Sequence, residues 1–82
     1  NSDRVHWREL TRVALATEPG ATQALSLARE NWARQKEPVD ARLLAQAAAQ
    51  SRAADVSDQL RAELRRLGMQ GVLDNLVREG LV

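Results

Sequence analysis

No cysteine occurs in this 82-residue chain, so neither a disulfide framework nor thiolate chemistry is open to it. Phenylalanine and tyrosine are missing too, and Trp7 and Trp32 are the only aromatic residues. Any core must be filled from 12 Leu, seven Val and 14 Ala, side chains small enough to let helices lie close together. At this length one domain can bury only about 60% of the surface its unfolded chain exposes, so the core is modest. No apolar run approaches the roughly 20 residues of a membrane span. The amino terminus lacks the basic-then-apolar layout of a signal peptide, which leaves the compartment open with the cytoplasm as the default expectation.

Charge of one sign is lacking as well. Twelve basic residues face eleven acidic ones for a formal net charge of +1, which argues against a nucleic-acid arm or a polybasic membrane anchor. One strip is uneven: Arg4, Arg8 and Arg12 recur every four residues along one side of a helix, as a solvated face or a contact for an acidic partner.

Catalytic chemistry is poorly supplied. His6 is the only histidine, and one histidine with no cysteine falls short of a common zinc site. Ser26, Ser51 and Ser57 have no base at a suggestive spacing, and Gly68-Met69-Gln70-Gly71 is too short for a phosphate loop. The expectation is a non-enzyme with no cofactor, no metal site and no small-molecule substrate.

What is present is helix-forming. Alanine loses no side-chain entropy when the backbone is fixed, and the apolar residues recur at three- and four-residue spacing. With Asn1, Ser2 or Asp3 as cap, a first helix is predicted over 3–17, burying Trp7, Leu10, Val13 and Ala14 on one face. Glu18-Pro19-Gly20 stops it. A second helix over 21–36 carries Ala24, Leu25, Ala28 and Trp32. Pro38 closes it, and Asp40 is the expected cap of a third helix over 41–50 with Leu43, Leu44, Ala47 and Ala48 inward. The stretch 51–54 has no Gly or Pro, but the apolar stripe changes phase there and a turn is placed on it. Asp55 is the expected cap of a fourth helix carrying Val56, Leu60, Leu64 and Leu67 up to Gly68. A fifth, over 70–79, offers Val72, Leu73, Leu76 and Val77.

The stripes recur. Trp7, Leu10 and Ala14 leading into Ala24, Ala28 and Asn31 are matched about 37 residues later by Leu44, Ala47 and Ser51 leading into Leu60, Leu64 and Leu67. With Asn31-Trp32, the Gln35-Lys36-Glu37-Pro38 segment and Asp40-Ala41-Arg42-Leu43-Leu44, the chain resembles a tetratricopeptide repeat in a divergent bacterial form. The period is longer than the family's usual 34 residues, Leu60 stands where a small Ala is usual, and Arg52-Ala53 replaces a glycine-containing turn. The resemblance implies a single all-α domain over 1–82, a right-handed solenoid fragment of antiparallel hairpins over 1–37 and 38–68 with a capping helix over 69–82.

It further implies a protein interaction module that holds a peptide or partner helix in a groove lined by the first and third helices. Arg8, Thr11, Arg12, Arg42, Ala45, Gln46 and Ala49 are the groove candidates, with arginine suited to pairing bidentately with a carboxylate. Two alternatives stand beside this. One is a helical docking or oligomerisation domain in which Val72, Leu76 and Leu81 meet another chain, giving a homodimer through the last helix. The other is a helix-turn-helix over 60–82 entering a major groove, against which its mixed Asp74, Arg78 and Glu79 charges and absent wing strands argue.

Overall fold

Alanine and leucine at helical spacing carry the chain into five helices: α1 (Ser2–Thr17), α2 (Thr22–Arg34), α3 (Pro38–Gln50), α4 (Ala54–Arg66) and α5 (Gln70–Arg78). The structure, a computed structural model, describes residues 2–17 and 22–82, with side chains from Trp7 onward. Expectations for Asn1, for the side chains of Ser2, Asp3, Arg4 and His6, and for the 18–20 turn lie outside the described residues. Among those residues there is no strand, and the fold is all-α as the composition implies.

Helix starts differ from expectation by a few residues, for chemical reasons. α3 begins at Pro38, whose missing N–H costs nothing in the first turn. Asp40 therefore lies inside that turn instead of capping it, and its carboxylate accepts the Glu37 backbone N–H at 3.3 Å. α4 begins at Ala54, so Asp55 sits in the first turn, near the positive end of the helix dipole, with Ala53 in the cap position.

Three helices end in the same way. Met69 N–H bonds to the Leu64 carbonyl and Gly68 N–H to Arg65, Leu81 to Leu76 and Gly80 to Val77, and Ala53 to Ala48 and Arg52 to Ala49. These paired bonds define the Schellman motif, which needs one residue in the left-handed region. Gly68 at φ 75° and Gly80 at φ 76° meet that need without steric cost, whereas Arg52 meets it at φ 55° with a Cβ in place. Arg52→Gly is accordingly expected to stabilise the domain by about 0.5–1 kcal/mol, the strain relieved outweighing the added freedom of the unfolded chain. A calorimetric melting temperature unchanged or lower would contradict this.

α3 is the central element. It packs against α1, α2, α4 and α5, whereas α2 and α4 make no close backbone approach to one another. Ala41, Ala45, Ala47 and Ala48 are at most 1% exposed, and only side chains this small let four helices gather around a fifth. Ala28, Trp32, Leu44, Val56, Leu60, Leu64, Leu73 and Leu76 complete the core.

The face of α1 is not the expected one. Leu10 is 37% and Val13 50% exposed, while Thr11 is fully buried with its hydroxyl donating to the Trp7 carbonyl at 2.9 Å. Trp7 and Ala14 are half-buried. The helix is turned so that Arg8 can reach a carboxylate on α3. Leu67 and Val77 are likewise exposed, whereas Leu76 is 1% exposed and belongs to the core.

Candidate functional site

A buried polar cluster fixes how the first two helices sit on α3. Asp40 is fully buried, and its carboxylate receives Arg8 Nε and Nη2 at 3.0 Å each, Asn31 Nδ2 at 2.8 Å and the Glu37 N–H. Gln35 Nε2 in turn donates to Asn31 Oδ1 at 3.0 Å. Paired, charge-assisted donors of this kind compensate a carboxylate taken out of water. The bond to Asp40 raises the Arg8 pKa above its ordinary value, with Glu37 adding a smaller attraction. Arg8, expected from sequence to face a partner, is thus engaged within the fold. Arg34 lies across the half-buried Trp7 ring, 4.6 Å from its centre, and ties α2 to α1 at the same end.

On the other side of α1 and α3 the surface is concave. A cavity of about 400 Å³ between them is lined by Arg12, Leu15, Ala16, Val39, Arg42, Leu43, Gln46 and Gln50. A second, of about 290 Å³, lies between α3 and α5 and is lined by Pro38, Val39, Arg42, Val72, Asn75 and Leu76. Val39 and Arg42 belong to both, so the two adjoin across α3. No carboxylate is among these linings.

The sequence candidates divide on this geometry. Arg12, Arg42 and Gln46 come together at the first cavity. Thr11 and Ala45 are fully buried and present nothing to a partner, and Ala49 is exposed but outside both linings. Of the proposed oligomer surface, Val72 lines the second cavity, Leu76 is core and Leu81 packs half-buried against that core.

Arg42 is not free. Its guanidinium makes a two-bonded ion pair with Glu79, just beyond α5, which draws the Glu79 pKa below the ordinary carboxylate range. Arg12 is exposed and has no ion-pair or hydrogen-bond partner among the described residues.

The opposite side of α3 holds a feature that periodicity did not reveal. Between α2 and α4 a cleft of about 280 Å³ is lined by Trp32, Lys36, Leu44, Val56, Leu60 and Glu63, with Arg29, Ala33 and Gln59 around it. Trp32 Nε1 donates to Glu63 Oε1 at 2.6 Å, and this bond, with lesser help from Arg66 and Lys36, lowers the Glu63 pKa. A carboxylate whose folded pKa is depressed contributes stability above its unfolded value and loses it as pH falls through the folded one. Glu63→Gln is therefore expected to lower stability by about 1 kcal/mol near neutrality. Urea midpoints of the two proteins should converge below the ordinary carboxylate range; a gap that persists there would count against this origin.

No protein-family model, no curated protein and no solved structure matches the chain.

Proposed function

We propose that this domain is a protein interaction module, tetratricopeptide-like in arrangement, that holds a peptide or partner helix across the face formed by α1, α3 and α5. The observation that carries the reading is the convergence of Arg12, Arg42 and Gln46 with Leu15, Val39, Leu43 and Val72 around two adjoining cavities that no carboxylate lines. Apolar floors bordered by the Arg12 guanidinium, by Arg42 held on Glu79 and by the Gln46 amide suit an amphipathic segment, whose spaced apolar anchors fill the hollows while polar groups meet the rim. The order of helices supports the same reading. The odd-numbered helices lie side by side and the even-numbered ones pack behind them, touching through the Trp32–Glu63 bond without close backbone approach, as in stacked helical hairpins that present one extended surface.

The test is selection of 16-residue peptides from a random display library, followed by mapping of the bound peptide through amide chemical shifts. Shifts should concentrate at Val39, Arg42, Gln46 and Val72, and Arg12→Glu should weaken binding by about tenfold without changing the melting temperature. Binders whose shifts fall outside this face, or no binder at all, would remove the reading.

A further inference from the structure

The cleft between α2 and α4 is built differently from the α1/α3/α5 face. Its floor and inner wall are Leu44, Val56, Leu60 and Trp32, none more than 5% exposed. Its polar groups sit around this floor, and they are unequally matched. Glu63 is committed, taking the Trp32 indole N–H and Arg66 Nη2, the latter at 2.9 Å. Lys36 Nζ donates to the Trp32 carbonyl at 2.7 Å and stands 5.0 Å from the centre of the indole ring, with no carboxylate of the described residues in ion-pair range. Arg29 is exposed and has neither an ion pair nor a hydrogen bond among the described residues. Two cations, Arg29 and Lys36, thus meet one carboxylate in the lining, and that carboxylate already has its partners.

An apolar hollow with surplus positive charge at its mouth favours a ligand with an apolar body and an anionic end. A volume of about 280 Å³ stands at the small end of ligand sites, suited to one ring or a short chain. We propose that the α2/α4 cleft binds a small organic carboxylate, its aliphatic or aromatic body against Leu44, Val56, Leu60 and Trp32 and its carboxylate between Arg29 and Lys36. Lys36 is placed to serve because its ammonium is already held against the ring that forms the wall. Glu63 lowers the affinity of this site for a second anion, so a monocarboxylate fits it better than a dicarboxylate.

The two tryptophans make the test direct, since Trp32 walls the cleft and Trp7 lies away from it. The 15N-labelled protein is titrated with hexanoate, phenylacetate, hexylammonium and hexanol while both indole N–H resonances are followed. Hexanoate or phenylacetate should move the Trp32 resonance saturably and leave Trp7 in place, with hexylammonium and hexanol binding at least about fivefold more weakly. In Arg29→Gln/Lys36→Gln, two substitutions at exposed positions, the acid should bind no better than hexanol while the melting temperature is retained. Equal binding of hexanoate and hexylammonium, acid binding unchanged in the double variant, or no saturable movement of Trp32 with either acid would overturn the proposal. None of these outcomes bears on the α1/α3/α5 face.

Discussion

Asp40→Ala is expected to cost about 3–5 kcal/mol of stability, the loss typical when one partner of a buried charge pair is removed. The variant strips the acceptor from Arg8, Asn31 Nδ2 and the Glu37 N–H at once, and Asn31 itself is fully buried. A domain of this length has a total stability of only about 4–12 kcal/mol, so the variant should be largely unfolded or melt some tens of degrees lower. Near-ultraviolet circular dichroism of Trp7 and Trp32 reads the outcome. Arg8→Met/Asp40→Leu separates the cost of an orphaned partner from the worth of the pair: exchanging both ends for apolar groups should recover part of the loss, leaving chiefly the Asn31 amide unmatched. Asp40→Ala melting within a few degrees of the parent would mean that water reaches this cluster and that the helices are not held by it.

The same cluster explains where the sequence was readable and where it was not. Helix number and the approximate breaks follow from local chemistry: Pro38 marks the break between α2 and α3, although it opens α3 instead of closing the second helix as expected, and Gly68 and Gly80 supply left-handed stops. Even the glycine-free turn at 51–54 is signalled by a change of stripe phase, and Arg52 takes the strained conformation there. The rotation of α1 is not local. Trp7, Leu10, Val13 and Ala14 form a broad apolar arc, and what selects within it is an ion pair from Arg8 to a residue 32 positions away. Nothing in the period of α1 announces Asp40, and so Arg8 and Thr11 read as surface while Leu10 and Val13 read as core.

Long-range pairing also decides the candidate sites. Arg12, Arg42 and Gln46 are legible because they occupy the polar side of two helices that the alanine pattern brings together. Glu79 over Arg42, 37 positions on, and Glu63 under the Trp32 indole, 31 positions on, are products of the stacked fold. The α2/α4 cleft was hidden for the same reason. Trp32 reads correctly as a core anchor from its stripe, but its N–H and the ammonium of Lys36 become part of a cleft only once α4 lies opposite.

Leu76→Asp is expected to act on folding, not on association. The side chain is 1% exposed among the core residues that join α5 to α3 and α4, so truncation alone should cost about 2–5 kcal/mol. A carboxyl group in its place adds the penalty of an unpaired polar group out of water, which raises the expected loss to about 4 kcal/mol or more. α5 should detach and the cooperative thermal transition should broaden or vanish. Val77, one residue on, is 51% exposed, and Val77→Lys should change stability by no more than about 0.5 kcal/mol. The pair of variants therefore distinguishes a core helix from a docking helix. If sedimentation shows self-association that Val77→Lys abolishes while melting is unchanged, the outer side of α5 is an interface between copies. If Leu76→Asp keeps the parent melting temperature and alters only the oligomeric state, α5 does not pack on α3 and the concave face that depends on it has to be redrawn.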